Sequence, residues 1–170
     1  MNLVNGLPTH VLLVHVVVVL IPLTALALAT AALWPRAGRR LGPLLPLLAL
    51  VALVSVPLTT HAGEWLEQHV DDDALVRRHT ELGDGLLPWA LGLFVLAALV
   101  WWAGRSARAE RGKGGATRWS ALPVRILVGV LSLTVAVGAV VDVYRIGDSG
   151  AKAAWHDAYS KTPTRSRGGS

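Results

Sequence analysis

Four long apolar stretches separated by short polar segments dominate the chain. They cover residues 7–34, 43–60, 86–102 and 124–144. Each is close to the ~20 residues that an α-helix, rising ~1.5 Å per residue, needs to cross ~30 Å of hydrocarbon. The polar segment between the second and third stretches contains one further helical pattern, at residues 75–83. The pattern predicts an all-α fold, a bundle of four transmembrane helices with a short surface helix in its second loop.

The composition agrees with a small integral membrane protein, because 53% of the 170 residues are hydrophobic and the mean hydropathy is +0.51. Residues 1–159 are predicted to form one membrane domain. Residues 160–170, rich in serine, glycine and arginine, are predicted to be a disordered basic tail. No lysine or arginine precedes the first stretch, which is also longer than the apolar part of a signal peptide. We therefore expect it to be a retained helix.

The charges of the loops predict the orientation. The first loop carries three arginines and no acid, and the third loop, residues 103–121, carries five basic residues against one acid. The second loop, residues 61–85, carries seven acids against two arginines. Basic loops stay in the cytoplasm, so both termini and the acidic second loop are expected outside. The basic residues then contact lipid headgroups, and since no nucleic-acid-binding module is recognisable, nucleic acid is not an expected partner.

With four crossings, all six histidines fall on one side of the membrane (His10, His15, His61, His69, His79 and His156). An imidazole in hydrocarbon is costly unless it has a polar partner. His15 lies about 7.5 Å deeper than His10 along the first helix, so we expect its ring to point into the bundle. Its expected partners are His61, His79, Asp84 or Asp142. His10, about 140° further round the helix, is expected to make a different contact.

These residues define a candidate site at the outer end of the bundle. The candidate cofactor ligands are His15, His79, His10 and His61, and the candidate metal ligands are His15, His79, Glu64, Asp84 and Asp142, with Arg145 in support. The competing interpretation is structural, with these side chains bonding loop carbonyls, capping helices or pairing with arginines. His69 and His156 are expected at the surface.

The residue types restrict the chemistry. The chain has no cysteine and its single methionine is Met1. Thiolate ligands and histidine–methionine haem ligation are therefore excluded, which leaves two histidines as the protein ligands of one haem b. Histidine with carboxylate also suits a divalent metal. A third interpretation is an accessory subunit without cofactor, docked on other membrane subunits or on copies of itself. No HExxH or nucleophile motif is present, so no enzymatic activity of the chain by itself is predicted.

Smaller features predict local packing. Pro22 frees a carbonyl in the first helix, and Thr24 is expected to bond it. Gly129 and Gly138 offer small surfaces for close helix contact. Asp142 and Arg145, three residues apart, are expected to pair along one helix face.

A family resemblance covers nearly the whole membrane portion. The segment LPTHVLLVH at residues 7–15 resembles the LHPxxVH opening of a family of bacterial four-helix membrane domains of unknown function, with Thr9 where that family often has proline. The segments AGEW (62–65), HTELGD (79–84) and RIGDSGA (145–151) are similar to its other outward-facing segments. The resemblance implies a multi-pass protein of the bacterial plasma membrane. Related domains occur fused to Rieske-type iron–sulfur modules, which implies a redox setting.

Overall fold

The computed structural model describes residues 3–4, 7–67, 74–111 and 122–155. Two short strands, β1 (Leu3–Val4) and β2 (Leu7–Pro8), pair antiparallel ahead of the first helix. The rest of the described chain is helical: α1 (Thr9–Leu33), α2 (Pro35–Leu41), α3 (Leu44–Glu67), α4 (Ala74–Asp84), α5 (Leu86–Arg111) and α6 (Leu122–Trp155). The predicted all-α architecture is confirmed, and the structure has four helical segments long and apolar enough to cross a membrane.

Several helix bounds differ from the predicted ones. The second, third and fourth apolar stretches were expected to end at residues 60, 102 and 144, but the helices continue to Glu67, Arg111 and Trp155. Hydropathy marks only the part of a helix that lies in hydrocarbon, whereas the backbone hydrogen bonds of a helix continue into the polar region. The expected surface helix at residues 75–83 is present as α4.

The first loop contains the helix α2, which the hydropathy pattern did not predict. Pro35 occupies its first turn, where a missing N–H costs nothing. Gly42 ends it with φ +53°, a conformation that favours glycine, and donates its N–H to Gly38 O at 3.1 Å. The chain thus turns between α1 and α3 through a short helix that also contacts α5.

The four long helices form a closed ring. α1 packs against α3 and α6, and α5 packs against the same two helices. Consecutive long helices run in opposite directions, so the start of α1, the end of α3, the start of α5 and the end of α6 meet at one end. The helix α4 lies at this end, chiefly against α6. We call it the α4 end.

The interior contains many small side chains beside larger ones such as Ile21, Leu28 and Leu93, and many large apolar side chains face outward. Buried alanines recur in every long helix (Ala25, Ala31, Ala49, Ala52, Ala90, Ala97, Ala136 and Ala139). Leucines and valines such as Leu26, Leu58, Leu127 and Val137 are exposed. In a membrane, helices associate through close packing of small residues, while large apolar side chains contact lipid. The distribution fits a bundle surrounded by hydrocarbon.

One line of residues along α1 faces the interior. Its buried members are Val17, Ile21, Thr24, Leu28 and Ala31, spaced three or four residues apart. His10 lies two turns before Val17 on the same line, whereas His15 lies on the opposite side of the helix. Packing along α1 therefore determines which histidine can enter the bundle.

Glycine allows close contact between α5 and α6. The ring of Trp89 lies directly over Gly138, so that a Cβ at this position would overlap it. Gly129 has no neighbouring atom within 4 Å of where a Cβ would stand. The predicted role of close helix contact is confirmed for Gly138, whereas Gly129 meets no helix within the described residues.

Two hydroxyl groups are buried inside the bundle without a hydrogen-bond partner among the described residues. They belong to Thr24 and Ser132, both of which are fully inaccessible. The predicted bond from Thr24 to a freed carbonyl is therefore wrong. In contrast, the hydroxyl of buried Thr59 donates to Ser55 O at 2.7 Å. Orphaned polar groups are costly in an apolar interior, so Thr24 and Ser132 weaken the bundle where they lie.

Candidate functional site

Two imidazoles meet at the α4 end. His10 is at the start of α1 and His79 is in the middle of α4. Their ring centroids are 6.2 Å apart and their planes are inclined by 83°. Both residues are half-buried, and each is fastened to a different long helix. We call these two residues the histidine pair.

His10 is hydrogen-bonded to α3. Its Nδ1 lies 3.0 Å from Thr59 O. One turn further along α3 is Gly63, where an added Cβ would stand 3.0 Å from the Cε1 of His10. The ring therefore occupies the space that a side chain at residue 63 would fill.

His79 is fastened to α6 by a similar arrangement. Its Nδ1 lies 3.1 Å from both Ile146 O and the Oγ of Ser149. The hydroxyl of Ser149 is itself a donor to Ile146 O, at 2.8 Å. One turn beyond Ile146 is Gly150, where an added Cβ would stand 2.9 Å from the Cε1 of His79.

The two arrangements share one geometric rule. Each imidazole contacts the carbonyl of residue i and packs on a glycine at i+4, in Thr59–Gly63 and in Ile146–Gly150. A helical side chain covers the surface over the turn that precedes its own Cα, so a side chain at i+4 would cover the carbonyl of residue i. Glycine at i+4 leaves that carbonyl open to the ring.

The hydrogen bonds determine where the protons are. A carbonyl oxygen only accepts, so Nδ1 carries the proton in both His10 and His79. In a neutral imidazole with this tautomer, Nε2 holds a lone pair. Neither Nε2 forms a hydrogen bond within the described part of the chain. The histidine pair thus presents two nitrogen atoms capable of accepting a proton or binding a metal ion.

The predicted position of His15 is wrong. Its side chain is exposed on the outer surface of α1, and its Nδ1 bonds the carbonyl of Val11 in its own helix at 2.6 Å. It forms no bond with His61, His79, Asp84 or Asp142. The preceding turn of the same helix supplies the polar partner that an imidazole in hydrocarbon requires.

Three other candidate ligands lie away from the histidine pair. His61 pairs with Glu64 at 3.4 Å on the outer face of α3, where their side chains are 89% and 63% exposed. Asp84, the last residue of α4, is exposed and forms no ion pair or hydrogen bond with a described residue. None of the three contacts the histidine pair in these positions. His69 and His156 lie outside the described residues.

Asp142 and Arg145 are close enough to interact electrostatically, but the carboxyl group is partly buried and the guanidinium group is exposed. The Oδ2 of Asp142 is buried without a hydrogen-bond partner, 3.9 Å from where a Cβ of Gly85 would stand. Arg145 is exposed and lines a groove between α4 and α6. The expected salt bridge between them is not formed. Asp142 lies one helical turn from Ile146, which places it next to the anchor of His79.

The described residues do not form a complete metal site from protein ligands alone. Within residues 3–4, 7–67, 74–111 and 122–155, no group of three or more histidine, cysteine, aspartate or glutamate side chains is placed to hold a metal ion. From the candidate ligands the structure brings together His10 with His79, and His61 with Glu64 on the exposed face of α3. Among the described residues, the pair offers a metal two imidazole nitrogens.

The anchoring residues were not singled out by their chemistry. Thr59, Gly63, Ile146, Ser149 and Gly150 are ordinary helix residues in sequence. A signal was present, since Gly63 is in the segment AGEW and the other glycine is in RIGDSGA, both similar to the family's segments. A glycine inside a helix lowers its stability, so its presence usually has a packing reason.

Comparison with known proteins agrees with this architecture. The family described as predicted membrane protein (DUF2231) matches residues 6–163, which include the four long helices and all residues of the histidine pair and its anchors. No curated protein and no solved structure matches the chain significantly. Because the match covers nearly the whole sequence, the chain belongs to the DUF2231 family of predicted membrane proteins.

Proposed function

We propose that this integral membrane protein binds a haem b iron through the Nε2 atoms of His10 and His79, as a subunit that carries electrons at the α4 end. The observation that carries the proposal is the shared anchoring of the two rings. Each Nδ1 is fixed by a backbone carbonyl, which leaves each Nε2 free. Histidines that bind metals almost always donate their other N–H to a carbonyl, carboxylate or water.

The separation of the rings supports a shared metal. Metal–imidazole bonds are about 2.0–2.1 Å long, so two imidazoles on one metal have centroids roughly 5–6.5 Å apart. The centroids of the histidine pair are 6.2 Å apart. Perpendicular ring planes are compatible with binding from opposite sides of one metal, because each plane needs only to contain its own metal–nitrogen bond.

The number of ligands favours haem over a bare divalent ion. Among the described residues the pair has no third ligand within a metal-binding group. A haem iron needs only two protein ligands, because the porphyrin fills its other positions, and bis-imidazole ligation supports one-electron transfer. A divalent ion held by two imidazoles and water is bound less firmly than a haem iron held by two imidazoles and its porphyrin.

The orientation of the site is part of the proposal. The acidic loop that carries α4 is expected outside the plasma membrane, and the arginine-rich loops are expected inside. A haem at the α4 end then exchanges electrons with a partner on the outer side. Other membrane subunits or a second copy of the chain are the proposed partners.

The experiment is an absorption spectrum of the full-length protein, produced with ample haem and purified gently, together with a metal analysis. A reduced b-type spectrum is expected. His79→Ala and His10→Ala should abolish it, and His15→Ala should leave it unchanged. Gly150→Ala should weaken it, because the new methyl group displaces the His79 ring. Gly147→Ala is the matched control, since no atom lies within 4 Å of its added Cβ.

The alternatives correspond to other results. A colourless protein with a stoichiometric divalent metal that His79→Ala removes would replace haem by a metal ion. A folded protein with neither haem nor metal would contradict the proposal. It would favour an accessory subunit in which the histidine pair only joins four helices.

A further inference from the structure

A shallow groove separates α4 from α6 on the outer surface of the bundle. It encloses about 160 Å³ and includes Ser149, which also contacts His79, but neither imidazole of the histidine pair lines it. Its lining residues are Leu75, Arg78 and Leu82 from α4, and Tyr144, Arg145, Asp148, Ser149 and Lys152 from α6. Apolar side chains therefore lie beside three basic ones and a single acid.

The charges in the groove do not cancel. Lys152 is paired with Asp148, with 2.6 Å between Nζ and Oδ2. Arg78 and Arg145 are exposed, and neither forms a salt bridge or a hydrogen bond with another residue that the structure describes. Two guanidinium groups from different helices thus face one groove, each with its donors available.

The depth of the groove places it among lipid headgroups. Arg125 and Arg145 of α6 are 20 positions apart, which is about 30 Å of helix and equals the thickness of the hydrocarbon layer. If Arg125 lies at one boundary of the hydrocarbon, Arg145 lies at the other. Tyr144 is 73% exposed next to it, as is usual for an aromatic residue at a membrane interface.

The chemistry at that depth selects the ligand. A guanidinium group binds phosphate oxygens through two parallel hydrogen bonds, and its geometry suits phosphate better than an ammonium group does. Leu75, Leu82 and Tyr144 offer apolar surface for the first carbons of acyl chains. Asp148 already forms a salt bridge with Lys152, so the groove offers no unpaired carboxylate to a cationic headgroup.

We propose that the groove between α4 and α6 binds the phosphate of an anionic phospholipid from the surrounding leaflet, held between Arg78 and Arg145. Such a lipid bridges α4 and α6 on the outside, while His79 joins the same two helices on the inside. Lipid composition then affects how firmly α4 is held against the bundle.

The test is native mass spectrometry of the detergent-solubilised full-length protein, titrated with phosphatidylglycerol or phosphatidylcholine. One phosphatidylglycerol per chain is expected, bound at least about tenfold more tightly than phosphatidylcholine. The double variant Arg78→Gln/Arg145→Gln should lose this preference, as charge-assisted bonds to phosphate are the strong ones. The control Arg105→Gln/Arg108→Gln removes two exposed arginines at the other end of the bundle and should change the affinity less than about twofold.

Two further arms complete the test. If the glutamine variant does not fold, Arg78→Lys/Arg145→Lys retains the charge but not the paired bonds, and should bind phosphatidylglycerol several-fold more weakly than the native chain. Equal binding of the two lipids, or undiminished binding by the variants, would overturn the proposal. Displacement of the lipid by inorganic phosphate alone would show a site for soluble anions, and would overturn the assignment to a lipid.

Discussion

The ring centroids of His10 and His79 lie 6.2 Å apart, and each ring is bonded to the backbone of a different long helix. His10 connects α1 to α3, and His79 connects α4 to α6. The contact between the two rings links these two pairs of helices. Four helices therefore meet through two side chains.

His79→Ala is expected to lower the free energy of unfolding by about 1–3 kcal/mol, because it removes a half-buried hydrogen bond and leaves a gap beside Gly150. His61→Ala is the control and should change it by less than about 0.5 kcal/mol, since His61 is at the surface. Unfolding in detergent by heat or denaturant measures both. If His79→Ala changed the free energy of unfolding as little as His61→Ala, the anchor of His79 would contribute nothing to stability.

The contact between Trp89 and Gly138 gives a second pair of variants. Gly138→Ala should destabilise the bundle by about 1–3 kcal/mol, because the added methyl group overlaps the indole ring. Gly129→Ala, in the same helix with open space around it, should be neutral or stabilising by up to about 1 kcal/mol. Thermal unfolding of the two variants under the same conditions decides the matter. A harmless Gly138→Ala would mean that α5 and α6 do not pack closely at this point.

Two buried hydroxyls differ in the predicted effect of their removal on the free energy of unfolding. Thr24→Val removes an orphaned hydroxyl at nearly constant volume and should raise the free energy of unfolding by about 1 kcal/mol. Thr59→Val removes a hydroxyl that is bonded to Ser55 O and should not raise it. The comparison needs only the midpoints of unfolding curves. A loss of stability in Thr24→Val would reveal a partner for that hydroxyl, such as a bound water molecule.

Orientation is tested with single cysteines, which this chain can carry without background because it has none of its own. Glu81→Cys in α4 and Arg108→Cys in α5 are both at exposed positions. An impermeant maleimide added to intact cells should label the first and leave the second unlabelled until the membrane is opened. The reverse result would place the histidine pair at the cytoplasmic surface.

The sequence alone did not determine which of His10 and His15 enters the bundle. The spacing of five residues correctly indicates that both rings cannot face the same point. Depth in the membrane then favoured His15, on the argument that a deep imidazole must find a partner in another helix. That argument omitted the carbonyl of Val11, which satisfies His15 within its own helix.

Other parts of the fold followed directly from the sequence. Three features are set by the length and polarity of segments, because hydrocarbon thickness and helical rise are fixed. They are the number of helices able to cross a membrane, the end at which each described histidine lies and the surface helix α4. The packing role of Gly138 was also predicted. The ends of the helices and the helix α2 were not predicted, because helices continue into polar segments that hydropathy does not identify as helical.

The sequence by itself therefore determined how many helices are long and apolar enough to cross a membrane and which residues share an end of the bundle. Only the tertiary structure decided which faces meet, because α1 is apolar on all sides and its sequence carries no signal of its rotation. Packing of the buried line of α1, from Val17 to Ala31, against the neighbouring helices sets that rotation and turns His10 inward. The same packing brings Thr59 and Ile146 beneath the two imidazoles, and no spacing along one chain can indicate a carbonyl that becomes available only when another helix arrives beside it.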